Sequence, residues 1–207
     1  MILDYTCKSL RRLLSTCFDY AMQDLGLDPE EFIAAFCKSR YVREIENRNQ
    51  TFLCGMAGSE FCRLILNEAG IQFTPVHYKP LDRRTQYWWA GDVIAYYQYY
   101  RGVSFRYIFS FASITEILRM YTVYHEMSMS QFMDRMDYLA NKHPSRLAEM
   151  RKKRQLSQSE LAFASAVPVR TIQAYEQKRK DINKSAAMTV LKLADTLSCN
   201  TRDILEL

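Results

Sequence analysis

The chain has 207 residues, 48% of them hydrophobic, with six glycines and five prolines, a composition that builds a packed core and excludes a disordered or low-complexity protein. Its net charge of +5 is unevenly spread: residues 1–144 hold 16 Lys+Arg against 16 Asp+Glu, and residues 145–207 hold 12 against 7. A neutral front and a basic back suit one part for a protein partner and one for a polyanion.

No apolar run approaches the roughly 20 residues that cross a bilayer, so no membrane association is expected. Met1–Leu10 lacks a basic-then-apolar signal pattern, and the expected location is the cytoplasm. The six cysteines form no CxxC pair and sit on apolar, helix-like segments, which points to buried free thiols and to no metal or cofactor.

The periodicity is helical almost throughout, so the expected class is all-α. Residues 5–25 place Leu10, Leu13, Leu14, Cys17, Ala21 and Met22 on one stripe. Asp28-Pro29-Glu30-Glu31 is a helix start, with a capping carboxylate, a proline at the first position and acids against the dipole. Ser59 is expected to open a helix that Gly70 closes. Residues 71–85 carry two prolines and no helical period, and read as a loop. A helix is expected from about Gln86 to Arg101, stopped by Gly102. Ser113 and Glu116 have capping-box spacing. A further helix covers about Met129–Asn141, and Pro144 marks the expected boundary between a domain over 1–144 and one over 145–207.

Within the Gln86–Arg101 helix, Tyr87-Trp88-Trp89 and Tyr96-Tyr97-Gln98-Tyr99-Tyr100 concentrate aromatic rings. Trp89, Val93, Tyr96, Tyr97 and Tyr100 follow helical spacing, as core packing requires. Such rings also anchor protein interfaces and can stack on bases. Tyr87, Trp88, Tyr96, Tyr99 and Tyr100 are the candidate partner-binding residues.

From Ser145 onward the pattern gives five short helices, at about 145–154, 158–165, 169–177, 184–197 and 201–206. Ser157, Asn183 and Asn200 are expected caps, and Pro168 is expected to begin the third helix. Leu147, Met150, Leu156, Leu161, Ala162, Val167, Ile172, Leu191, Ala194, Leu197 and Leu205 are the expected core.

The run Ser157-Gln158-Ser159-Glu160-Leu161-Ala162, then Arg170-Thr171-Ile172 and Tyr175-Glu176, resembles the Cro/CI-type helix-turn-helix family. The sequence departs from the family by having Ala166 in the turn and Lys178 after the third helix, where glycine is usual. The resemblance implies that the third helix enters a DNA major groove. Gln158 would contact phosphate, while Val169, Arg170 and Ala174 would face bases. Arg170, with its bidentate fork, is the expected reader of a guanine edge, and Val169 and Ala174 would meet thymine methyls or give clearance. Thr171, Gln173, Lys178, Arg179 and Lys180 would hold phosphates. Ile172 and Tyr175 are expected in the core.

The front segment, with Tyr87-Trp88-Trp89-Ala90-Gly91 and Tyr124-His125-Glu126-Met127, resembles Cro-type bacterial regulators encoded beside small toxin genes, ADP-ribosyltransferase-like ones included. The implied role is that of a homodimeric repressor of its own operon and antitoxin, with operator DNA and a toxin, an ADP-ribosyltransferase-like one among the candidates, as partners, and without catalysis. A repressor controlled by a ligand or partner, with no toxin, is the alternative. Arg119 and His125 also have the Arg-x5-His spacing that resembles the motif of HEPN-type ribonucleases, whereas His125 beside Glu126 equally suits a local cap or pair.

Overall fold

A computed structural model describes residues 5–78 and 84–206; the loop reading for residues 79–83 and the signal reading for residues 1–4 lie outside the described residues. The class is all-α, with no strand among the described residues. The chain forms two compact units, one ending at Asp137 and one beginning at Tyr138.

In the front unit the helices are α1 (Tyr5–Asp19), α2 (Pro29–Lys38), α3 (Arg40–Glu46), α4 (Gln50–Gly55), α5 (Gly58–Ala69), α6 (Gln86–Arg101), α7 (Phe105–Phe111), α8 (Ile114–Tyr124) and the first part of α9 (Met129–Lys142). Most begin on the local chemistry expected of a cap. The Asp28 carboxylate accepts from the Glu31 amide at 3.0 Å, Thr85 Oγ1 accepts from the Trp88 amide at 3.0 Å, and Ser113 with Glu116 closes a full capping box. Gly70 and Gly102 end α5 and α6 in the left-handed conformation, at φ +71° and +64°.

Helix α1 is the axis of this unit. Its stripe from Leu10 to Met22 is buried as the spacing predicts. The helix packs between α5 and α6, and each neighbour meets it through a glycine. A Cβ on Gly91 would come within 3.0 Å of the Leu14 carbonyl and Ser15 Cα; one on Gly58 would meet the Leu13 oxygen and the Cys17 nitrogen as closely. Phe18 extends the core edge-on to Phe32 and Phe36, at 5.4 and 5.3 Å between ring centroids. Arg11 locks α1 to α6 through a bidentate pair with Asp92, both contacts at 2.8 Å.

Several details depart from the sequence pattern. The first helix does not stay α-helical to residue 25: Tyr20–Asp24 form a π-helical turn, with the Leu25 amide reaching back to the Tyr20 carbonyl at 3.0 Å. The Tyr20 hydroxyl donates to the Val76 carbonyl at 3.0 Å, and the buried Asp19 carboxylate accepts from Thr85 and from Tyr78, so Val76, Tyr78 and Thr85 of the 71–85 segment are tied to the end of α1 and the start of this turn. Helix α5 starts at Gly58, and Ser59 lies buried in its first turn without capping it. Cys54 is exposed, unlike the buried Cys7, Cys17 and Cys62. Helix α6 is buried continuously from Trp89 to Ala95, so no single stripe describes it. Tyr97 is core, whereas Tyr100 is 53% exposed and Tyr96 half-buried.

The back unit contains α10 (Arg146–Lys153), α11 (Gln158–Ser165), α12 (Val169–Glu176), a 3-10 turn (Ile182–Lys184), α13 (Ala187–Thr196) and α14 (Thr201–Ile204). It also takes in the last residues of α9, so the division between the units runs within that helix and upstream of Pro144. Within the back unit the Lys178 ammonium donates to the Ala140 carbonyl of this helix end. The core holds Leu147, Leu161, Val167, Ile172, Tyr175, Ala194 and Leu197 as expected, and adds Ile182, Val190, Leu193 and Ile204. Leu191 is a correction, for it is 44% exposed. Asn183 is another, since it caps no α-helix. Asp181 caps the 3-10 turn, α13 starts after Ala186, and the Asn183 side chain pairs both ways with the Glu206 backbone, at 3.0 and 3.2 Å.

Candidate nucleic-acid interface

Helices α11 and α12 are joined by a turn in which Ala166 takes the left-handed conformation at φ +51°. That geometry favours glycine, because a Cβ there crowds the neighbouring carbonyl. The Ser157–Glu160 capping box starts α11: the Ser157 hydroxyl accepts from the Glu160 amide at 3.1 Å, and the Glu160 carboxylate accepts from the Ser157 amide at 2.7 Å. Hydrogen bonding from the Ser157 side chain, and then from its amide, holds the Glu160 acid below its ordinary pKa. Helix α12 starts at Val169, as its expected range has it, but Pro168, at φ −57° and ψ 135°, is the residue before the helix and does not begin it.

The two helices are fixed by a polar cluster beneath them. Arg151 of α10 donates to both oxygens of Glu176 of α12, at 2.6 and 2.9 Å, and to the Leu156 carbonyl at 2.6 Å. The bond to Glu176 raises the pKa of the guanidinium further. Gln158 of α11 donates to the same carboxylate at 2.7 Å. A carboxylate accepting from an arginine fork and a carboxamide at once has little freedom left, so α10, α11 and α12 are set relative to one another. This cluster went unread in the sequence, because Arg151 and Glu176 stand 25 positions apart and neither residue type alone implies a partner.

Around this frame Arg170, Arg179 and Lys180 are exposed, and Val169, Thr171, Gln173 and Ala174 are partly exposed. Ile172 and Tyr175 are buried on the other side of α12, as expected. Two residues assigned to phosphate have other duties. The Gln158 carboxamide is engaged by Glu176 and, at 3.5 Å, by Gln173. Lys178 is half-buried at φ +53°, with its ammonium on the Ala140 carbonyl, and burial lowers its pKa. One feature without a sequence signal is Phe163 on the outer side of α11, which is 92% exposed.

In the front unit, Tyr87, Trp88, Tyr96 and Tyr99 are half-buried and Tyr100 is exposed. Arginines cover three of these rings: Arg84 lies 4.0 Å over Trp88, Arg11 5.3 Å over Tyr96 and Arg48 4.7 Å over Tyr99. Tyr100 meets Tyr96 and Tyr99 at 4.4 and 5.4 Å. The Arg119–His125 pair is not assembled. His125 caps α8, with Nδ1 on the Tyr121 carbonyl at 2.7 Å and its ring stacked on Tyr121 at 4.6 Å, while Arg119 is exposed and bonds to no part of it. Among the described residues no helix is long and apolar enough to cross a membrane, and no group of three or more His, Cys, Asp or Glu could hold a metal ion. No protein-family model matches the chain, and no curated protein or solved structure is significantly similar to it.

Proposed function

We propose that the chain is a DNA-binding transcriptional repressor and the antitoxin of a toxin–antitoxin pair, with the back unit reading operator DNA and the front unit binding the toxin. The observation that carries the DNA reading is α12 itself. Its inner face is immobilised through Ile172, Tyr175 and Glu176, while Arg170 stands exposed at its start and Arg179 and Lys180 just beyond its end. A rigid short helix with a bidentate donor at its N-terminal end and cations beyond its C-terminal end suits a major groove flanked by phosphates. The antitoxin role rests on the resemblance of the front segment and on its arginine-faced aromatic rings, a side-chain chemistry typical of interface anchors.

A homodimer would place two such helices in successive grooves, about 34 Å apart. Footprinting of the full chain on DNA upstream of its own gene tests this directly. A two-fold symmetric footprint spanning two half-sites supports the reading, and protection of a single half-site contradicts it. Co-expression with the products of neighbouring genes tests the second half. Rescue of growth from one of them, with co-purification, supports the antitoxin role; an operator-binding chain that neutralises no neighbour leaves a repressor alone.

A further inference from the structure

A half-open cavity of about 590 Å3 lies in the front unit, walled by α6, α8 and the start of α9. That volume falls within the range of small-molecule sites, roughly 300–1,000 Å3. Its walls are rings that brace one another. Trp89 meets Tyr121 and Phe132 edge-on, each at 5.6 Å, and Tyr124 meets Phe132 at 6.3 Å. The Tyr121 hydroxyl donates to the Arg84 carbonyl at 3.2 Å and so holds the rim in place.

The polar groups decide the class of ligand. Asp92 lines the cavity, but both its oxygens are taken by Arg11 at 2.8 Å, so it offers no open negative charge. The Arg84 guanidinium carbon lies 4.0 Å from the Trp88 ring centroid, and Arg84 has no acidic partner among the described residues. A guanidinium held over an indole and without a carboxylate partner keeps N–H donors for a carboxylate or phosphate. The Trp89 indole N–H and the Tyr124 hydroxyl, both on the cavity lining, have no hydrogen-bond partner among the described residues, so each can donate to an acceptor atom of a ligand.

We propose that this cavity binds a small, flat aromatic anion: a ring with acceptor atoms packed against the aromatic walls, and a carboxylate or phosphate held by Arg84. The site shares Arg84 and Trp88 with the proposed toxin-binding rings, but it rests on the cavity itself and does not depend on the DNA-reading or toxin-binding roles.

The chain has two tryptophans, Trp88 and Trp89, and both line the cavity, so intrinsic tryptophan emission reports on this site. Nicotinate and adenosine monophosphate serve as probes of the two anion types, with nicotinamide and adenosine as their neutral counterparts, all titrated against the full chain. Saturable change in emission with one anion is expected, its neutral counterpart binding at least about tenfold more weakly, as the loss of a charge-assisted contact requires. Which anion responds distinguishes a carboxylate ligand from a nucleotide. Arg84→Gln should weaken the responding anion by at least about tenfold with helix content unchanged by circular dichroism. If that variant loses its helix content, the ratio of anion to neutral affinity on the unmodified chain decides alone. No response to either anion up to about 1 mM, equal affinity for anion and neutral form, or undiminished affinity in a folded Arg84→Gln chain would each overturn the proposal.

Discussion

Arg151 and Glu176 form a bidentate ion pair, at 2.6 and 2.9 Å, with side chains only 12% and 6% exposed. Removing one partner strands the other charge out of water, which is worse than removing both. Glu176→Ala is therefore expected to lower the stability of the back unit by about 3 kcal/mol, and Arg151→Met with Glu176→Leu together by clearly less. Urea denaturation followed by circular dichroism measures both. Equal losses for the single and double changes would mean that the pair is not coupled.

Ala166 stands at φ +51° between α11 and α12. Replacement by glycine removes the Cβ clash, offset by a larger entropy in the unfolded chain, so Ala166→Gly should stabilise by about 0.5–1 kcal/mol. A lowered thermal midpoint would show that the Ala166 methyl does more in packing than it costs in strain.

Gly91 opposes the backbone of Leu14 and Ser15, and backbone cannot swing aside as a flexible side chain can. Gly91→Ala should push α6 off α1 and cost about 3 kcal/mol, the upper end for overpacking. A stability equal to the parent chain, with helix content retained, would place the α1–α6 crossing elsewhere.

Burial pushes the Asp19 carboxyl above its ordinary pKa of 3.8, against the hydrogen bonds from Thr85 and Tyr78 that favour its charged form. A folded pKa above the unfolded one means the folded state binds the proton more tightly. Asp19 thus stabilises most fully below its unfolded pKa, and that contribution is lost as pH rises through the folded value. Asp19→Asn should gain on the parent chain as pH rises from about 4 through the raised pKa. Denaturant midpoints taken across that window decide it, and parallel curves would remove Asp19 as a source of the slope.

For the proposed DNA contacts, Arg170→Ala should weaken specific binding by about 1–3 kcal/mol and relax base choice at one position of each half-site. Arg179→Ala should instead weaken all sequences alike and flatten the dependence of affinity on salt. Titration of an operator fragment and a scrambled one at two or more salt concentrations separates the two effects. A specificity ratio unchanged in both variants would leave α12 without a reading role.

The features legible in the sequence are those whose physics closes within a few residues. Asp28 with Glu31, Ser113 with Glu116, Ser157 with Glu160 and Asn200 with Asp203 bond across three positions, so each helix start could be named from residue type and spacing alone. The stripe from Leu10 to Met22 and the burial of Ile172 and Tyr175 were equally readable, since a helix with one apolar face has one way to turn it inward. Tertiary structure decided the rest. Whether α6 turns Tyr97 or Tyr100 inward depends on helices packed around it on several sides, which no single stripe encodes. Leu191 lies outside the core because packing turns Val190, Leu193, Ala194 and Leu197 inward as one stripe, and Leu191 falls beside it. The Arg151–Glu176 pair, the Arg11–Asp92 pair and the cavity beside Trp89 join residues 25 to 81 positions apart. Charge and apolar area at such separations are chosen by which helices meet, and that depends on the burial of the whole chain rather than on any segment of it.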